Sequence, residues 1–391
     1  MATTTLSFLF LFFFLLLSTP HTTHSTHIHR INQACKATRF PLQCQTTLIS
    51  HSLHLPFNPT PLHIINSSIS LSSRNLKIAN SMLDSILQAF AGDHGRIAIA
   101  KGCLQVFQYS HHRTSLTVEA LSRGRIKDAR AFMSAALAYQ YNCWSGLKYA
   151  NDTELVFKTM SFLDSLTIIS SNALSMIVSY DLFGNDTDLW RPPRTERDGF
   201  WEDSGSGVFG PGPSLPANLM QDVTVCKETG GGCYGTVQEA VDAAPDNVDV
   251  GGGKFVIHIK EGVYEERVRV PLRKKNVVFL GDGIGKTVIT GSASVGLTVG
   301  MTTYNSATVG VAGDGFMAKD LTFENTAEGW LPWSGDVGLN TLYYGEFDNS
   351  GPGSNLTKRV SWSSQVPAEH VSTYSVQGFI QGDDWVHRSS Y

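Results

Sequence analysis

The spacing of apolar residues changes once along the chain, and the change divides it. In Leu116–Leu147, the residues Leu116, Val118, Leu121, Ile126, Ala129, Phe132, Met133, Ala136, Leu137 and Tyr141 recur every three or four positions. That period puts them on one helical stripe. Asn75–Phe90 and Glu154–Tyr180 repeat the pattern, and no proline interrupts Pro61 to Pro192, which suits long helices because proline removes an internal hydrogen bond. The expected structure over 30–182 is an all-α four-helix antiparallel bundle with short loops. From Val223 the period shortens. Phe255–Ile259 (FVIHI), Asn276–Leu280, Ala307–Val311 and Leu321–Phe323 are short apolar runs punctuated by Gly and Asp. The first two begin 21 residues apart. Short strands at such intervals predict a solenoid in which each rung buries its face on the next, with a β-sandwich as the competing fold. Between the halves, residues 183–221 become rich in Pro, Gly and Ser and read as a linker. Its Arg191, Arg194 and Arg197 fit either a processing site or solvated charge.

The first residues belong to neither half. In Leu6–Leu17, eleven of twelve residues are apolar. This is the length of a signal-peptide core and short for a bilayer span. The preceding segment has no Lys or Arg, and a membrane anchor is the alternative. A signal peptide over 1–24 implies a secreted chain with no stable membrane association. His21, His24, His27 and His29 follow it. They suggest either a metal site or a Thr/His stretch without fixed geometry, and the latter is expected.

Charge sharpens the division. Of the net −4, residues 31–190 contribute +3 (13 basic, 10 acidic) and residues 222–391 contribute −7 (13 basic, 20 acidic). Two differently charged modules result, and neither carries the basic excess of a nucleic-acid binder. Six cysteines, an even number, suit an oxidising compartment: Cys35, Cys44, Cys103, Cys143, Cys226 and Cys233. The simplest pairing joins Cys35 to Cys44 in a small hairpin and Cys103 to Cys143 between long helices. Cys226 and Cys233 lack a second pair at zinc spacing, so a local disulfide is expected. Asn66, Asn151, Asn185 and Asn355 head N-x-S/T sequons, the acceptors of N-glycosylation in a secreted chain.

Motifs for other chemistries are missing. Gly281–Thr287 (GDGIGKT) resembles a phosphate loop, but Leu280 stands where the Walker pattern needs Gly, so the run is expected to be a strand-to-strand turn. Neither G-x-S-x-G nor H-E-x-x-H occurs. His258 alternates within its strand as a packed residue, and the adjacent Asp383 and Asp384 would point to opposite faces. No metal or organic cofactor is implied.

Several segments carry a specific resemblance. Gly232–Asn247 (GCYGTVQEAVDAAPDN), Phe255–Val270, Asn276–Gly291 and Ser306–Ala327 resemble the opening of plant pectin methylesterases. Gly329–Trp362 and Phe379–Trp385 (FIQGDDW) resemble the end of the same domain. Ser134–Leu147, Ser171–Met176 and the four early cysteines resemble pectin methylesterase inhibitor domains. In this order they are similar to the plant pectinesterase/pectinesterase inhibitor family. The resemblance implies a helical bundle followed, over 222–391, by a right-handed parallel β-helix, a cell-wall setting, and homogalacturonan as substrate. It also implies two catalytic aspartates, oxyanion-hole glutamines, and an Arg and a Trp in the groove. The strings H-Q-A-V, Q-D-T-L, D-F-I-F-G and G-R-P-W that hold them do not occur. The opening part stops at Thr326–Ala327 and the closing part begins at Glu328–Gly329, as if central coils had been removed. One site position matches, Thr303, corresponding to a substrate-binding threonine. The expectation is an esterase-family chain without esterase activity and with an irregular joint near Ala327–Gly329. Alternatives are a helical half that binds or inhibits a pectin methylesterase, and a non-functional splice or gene-model product.

Overall fold

The computed structural model describes residues 19–52, 55–192, 219–228, 231–248, 252–295, 300–326, 345–349, 357 and 364–374. The core of the signal peptide, Arg194 and Arg197, the joint at 327–329, Asn355, and Asp383 with Asp384 lie outside these residues. The chain forms two units, Met1–Pro193 and Arg194–Tyr391.

The first unit is helical: α1 (Thr19–Cys35), α2 (Pro41–Ser50), α3 (Pro61–Ala89), α4 (His94–Ser122), α5 (Ile126–Leu147) and α6 (Glu154–Phe183). Helices α3, α4 and α6 start where the sequence supplies acceptors for the free N–H groups of a first turn. Thr60 and His63 form a reciprocal cap before α3, with Pro61 at its first position. The Asp93 carboxylate accepts from the Arg96 amide, and the Thr153 hydroxyl from that of Val156. The stripe read as continuous over Leu116–Leu147 is two helices. Arg123, Gly124 and Arg125 break it, with Gly124 in the left-handed region at φ +71, where a residue without Cβ turns the chain at no steric cost. The periodicity carries straight through because residues on both sides face one core.

Helices α3 to α6 form the bundle, α4 packing on α3 and α5, and α6 on α5 and α3. Ile64, Leu76, Leu83, Phe107, Met133, Leu163 and Met176 are among its fully buried side chains. One polar side chain from each long helix meets inside it. Gln140 Nε2 donates to Ser110 Oγ (3.1 Å) and to Ser72 Oγ (3.4 Å), and Ser72 Oγ lies 2.7 Å from Ser170 Oγ. Disulfides join Cys35 to Cys44, and Cys103 in α4 to Cys143 in α5. Among the described residues, α6 is the one helix long and apolar enough to cross a membrane; half of its apolar stretch is buried inside the protein. The histidine tract lies on α1, and His27 is fixed: it is buried and its Nε2 bonds Pro56 O at 2.8 Å. This corrects the expectation of a stretch without geometry. The described residues contain no metal-binding cluster.

The second unit contains β1 (Val223–Val225), α7 (Val237–Ala243), β2 (Phe255–Ile259), β3 (Gly262–Glu265), β4 (Val268–Val270), β5 (Val277–Gly281), β6 (Thr287–Gly291), α8 (Thr303–Ser306), β7 (Val309–Val311), β8 (Met317–Lys319) and β9 (Thr322–Asn325). β10 (Gly345–Glu346) pairs separately with β11 (Ser364–Gln365). Three sheets, ordered β1-β2-β5-β8, β3-β6-β9 and β4-β7, are parallel throughout. Successive strands therefore return to the same sheet one coil later, which is a parallel β-helix and excludes the antiparallel sandwich. Phe255 faces Val277, so the first repeat is one residue longer than the motif spacing. Val225, Ile257, Ile259, Val268, Val277, Phe279 and Ile289 fill the coil interior, and α7 lays Val237, Ala240 and Val241 over one end. Gly281 permits the next coil to approach: a Cβ there would sit 2.2 Å from Asp320 O. At the other end of the described coils, Ala318, Lys319, Phe323 and Glu324 are exposed.

The run Gly281–Thr287 joins β5 to β6 as a turn and also locks neighbouring coils. Asp282 accepts from the Glu261 amide and pairs with His258, both at 2.7 Å. The His258 hydrogen bond holds the Asp282 carboxyl below its ordinary value, with the Glu261 amide helping and burial opposing. A depressed carboxyl contributes stability above its unfolded pKa and loses it as pH falls through the folded value.

Two outcomes are expected. Replacing Cys103 and Cys143 together by Ser removes a 40-residue cross-link and lowers bundle stability by about 3–4 kcal/mol in denaturant titrations. Asp282→Asn weakens the β unit by about 1 kcal/mol, discounted because the carboxylate is 37% exposed. The difference from wild type, followed by thermal melts, is full above about pH 5 and fades as pH falls below about 4.

Candidate functional site

Thr303 is the first residue of α8 and is exposed. The buried Thr302 caps this turn, its hydroxyl accepting from the Asn305 amide at 3.2 Å. Ser306 Oγ donates back to Thr303 O at 2.9 Å. The carbonyl end of a short helix lacks internal donors, and two arginines from β4 and the residue before it supply them. Arg269 donates to Asn305 O and Ala307 O, each at 2.8 Å, and its guanidinium lies 5.8 Å from the Tyr304 ring centre. Arg267 donates to Asn305 O at 3.3 Å. Asn325 on β9 donates to Ser306 O at 3.3 Å. The turn carrying Thr303 is thus held from two neighbouring coils. The sequence reading missed Arg267 and Arg269. Their one signal was two cations alternating with Val on a strand, and nothing there identifies carbonyls on a later coil as their partners.

Acyl transfer through a covalent intermediate needs a free nucleophile, an acid/base group and oxyanion donors in one place. Four carboxylates of this unit are committed to structural contacts. Asp222 accepts from the Val256 amide at 2.7 Å. Glu266 accepts from the Val237 and Gln238 amides at 2.9 and 3.1 Å, at the start of α7. Asp246 pairs with Lys274 at 2.9 Å, and that contact holds its carboxyl below the ordinary range. Asp282 serves the turn described above. Gln238 has no amide proton aimed at a substrate either: its Oε1 accepts from Arg269 N at 2.7 Å, and its Nε2 donates to Arg269 O and Asp242. Lys274, also missed in the sequence, is buried and donates to Asp242 O and Ala244 O as well. Such a lysine fixes the end of α7.

The remaining predicted positions fall far from chemistry. Cys226 and Cys233 are disulfide-bonded. His258 is bonded to Asp282 across coils. Asn66 lies within α3, whereas Asn151 and Asn185 are exposed beyond helix ends.

Comparison with known proteins agrees with this division. A family model described as plant invertase/pectin methylesterase inhibitor matches residues 29–176. One described as pectinesterase matches twice, over 222–329 and 327–383. The two matches meet where the opening motifs stop and the closing ones resume. Probable pectinesterase/pectinesterase inhibitor 64 of Arabidopsis thaliana is 40% identical over 513 aligned positions, covering 92% of this chain and 84% of the relative. The chain has 391 residues, so at least 122 of those 513 positions have no counterpart in it. Probable pectinesterase/pectinesterase inhibitor 12 of the same plant is 31% identical, over 79% of this chain and 56% of the relative. Among solved structures, a pectin methylesterase from carrot is 48% identical over 29% of this chain and 33% of its own, at a TM-score of 0.25. A mutant pectin methylesterase inhibitor from Arabidopsis is 15% identical over 37% of this chain and 92% of its own, at 0.33. The fold itself rests on strand register and helix packing, and the sequence matches assign both halves: the chain belongs to the pectinesterase/pectinesterase inhibitor family.

Proposed function

We propose that this chain is a secreted cell-wall member of that family that has lost pectin demethylation and keeps only part of a homogalacturonan-contacting surface. The single observation that carries the loss is the split match of the esterase model, 222–329 and then 327–383. The commitments of Asp222, Asp246, Glu266, Asp282 and Gln238 support it, since none is left to attack an ester or bind an oxyanion. Thr303, exposed on a turn clamped by Arg267 and Arg269, is the proposed contact for the polysaccharide. Residues 1–24 act as a signal peptide and 183–221 as the linker. No cofactor, nucleic acid or membrane enters this reading.

A second reading has its own support. The inhibitor match is continuous over 29–176 and both disulfides of the helical half are present, which supports a helical half that binds a pectin methylesterase. Its positive charge against acidic partners favours encounter, although salt screens such attraction. A splice or gene-model product is the third reading, and reading the transcript across 327–329 decides it.

Purified protein incubated with methyl-esterified pectin is expected to release no methanol above a heat-treated control. Release above that control would overturn the proposed loss. Mixing the same protein with an active pectin methylesterase separates the first two readings: capture of that enzyme together with a fall in its methanol release supports the binding module, and failure of both removes it.

A further inference from the structure

The three disulfides differ in what surrounds them. In the helical unit, Cys35, Cys44, Cys103 and Cys143 are each at most 2% exposed. Cys35 and Cys44 belong to an apolar cluster with Ile31, Leu48 and Ile64. Cys103 is held between α4 and α5, its sulfur 3.5 Å from Cys143 O. In the β unit, Cys226 and Cys233 are only half-buried, and Lys227, Glu228, Gly231 and Gly232 between them are exposed. A Cβ built on Gly231 or Gly232 would meet nothing within 4 Å, so the chain beside Cys233 borders open space.

The fold around this pair does not depend on the bond. It closes a separation of 7 residues, against 40 for Cys103–Cys143, and a short loop restricts the unfolded chain less. Cys226 N donates to Tyr234 O at 3.0 Å and Tyr234 N to Thr224 O at 2.8 Å, so backbone bonds keep the two cysteines together. Helix α7, which follows, is anchored separately: Glu266 accepts from its first amides, Gln238 bonds Arg269, and Lys274 bonds Asp242 O. A thiol at Cys226 would find an acceptor in Glu228 O, 3.1 Å from its sulfur.

We propose that Cys226–Cys233 is a thiol-exchange site, where the folded protein reacts with a small thiol of the glutathione class ahead of both disulfides of the helical unit. In the first step the small molecule's thiolate attacks one of the two sulfurs. A mixed disulfide forms, the Cys226–Cys233 bond breaks, and the other cysteine sulfur leaves with the electron pair and takes a proton from water. A second small thiol then attacks the mixed disulfide at the small molecule's sulfur. The protein is left with two thiols, and the two small thiols, oxidised by two electrons in all, become one disulfide. Such attack needs access to a sulfur. At Cys226–Cys233 the folded state gives it. In the helical unit it comes only when the bundle opens, so exchange there follows the unfolding equilibrium. The surviving backbone bonds make exchange at the β-unit pair reversible. The proposal goes beyond the family assignment and stands whichever reading of the esterase half holds.

The full-length folded protein is first treated with iodoacetamide alone, which is expected to label none of the six cysteines; label on Cys226 or Cys233 at this step overturns the proposal. Reduced glutathione is then added at neutral pH without denaturant. Samples are quenched with acid, alkylated and mapped by peptide mass spectrometry. Glutathione adducts and new thiols are expected at Cys226 and Cys233 on the order of a hundredfold faster than at Cys35–Cys44 or Cys103–Cys143, since opening a packed core is rare under native conditions. Urea below the unfolding transition is expected to speed exchange at the two helical pairs and leave the rate at Cys226–Cys233 unchanged. Equal rates at all three pairs, or a rate at Cys226–Cys233 that rises with urea in step with the others, overturns the proposal. In a second arm, the double variant C226S/C233S is expected to take up no glutathione over the time in which the wild type is fully exchanged. Uptake by that variant at the wild-type rate would place the exchange elsewhere and overturn it too.

Discussion

A rung of a parallel β-helix buries its inward face only on the rungs beside it, and the second half of this protein depends on that constraint. Ile257 and Phe279 pack because β2 and β5 pair in register, with Phe255 opposite Val277. Gly281 lets the coil carrying Asp320 come close. Such contacts are local, so loss of a block of coils leaves the others able to pair as before. Catalysis is different. A nucleophile, an acid/base group and oxyanion donors must converge from particular coils, and no neighbouring coil substitutes for them. This explains how the chain keeps nine regular strands, β1 to β9, while Glu266 caps a helix and Asp282 locks neighbouring coils.

The helical half is complete in a way the β half is not. Its core closes on itself, and the hydrogen-bonded layer of Ser72, Ser110, Gln140 and Ser170 takes one member from each long helix. A buried polar group is costly without partners, so this layer favours the alignment of helices that pairs the three hydroxyls with the Gln140 amide nitrogen and with one another, while the Gln140 oxygen stays without a partner. The helical half is thus a folded module with a core of its own.

Much of this was legible in the sequence. The change of period located both units, and FVIHI coincides with β2 because its apolar run is bounded by Lys254 and Lys260. Strands β3, β4, β6 and β8 were not read. VRV and MAK are three residues long, and Gly262–Glu265 has one buried side chain, so their patterns are too short to register. The turn at Gly124 was hidden because two helices share one core. Around Thr303 the sequence marked the turn and missed its clamps. Arg267 and Arg269 are 36 to 38 residues from the carbonyls they hold, a distance that only coil stacking closes. Lys274 was invisible for the same reason, as one of three consecutive cations in Arg273–Lys275.

The central claim is that the surviving coils are sound and that the missing ones alone account for the absence of chemistry. The most direct test inserts, at 327–329, the segment that the aligned Arabidopsis relative carries and this chain lacks, and measures methanol release from methyl-esterified pectin beside the unaltered protein. The account predicts release from the chimera and none from the unaltered chain. Equal release from both would contradict it.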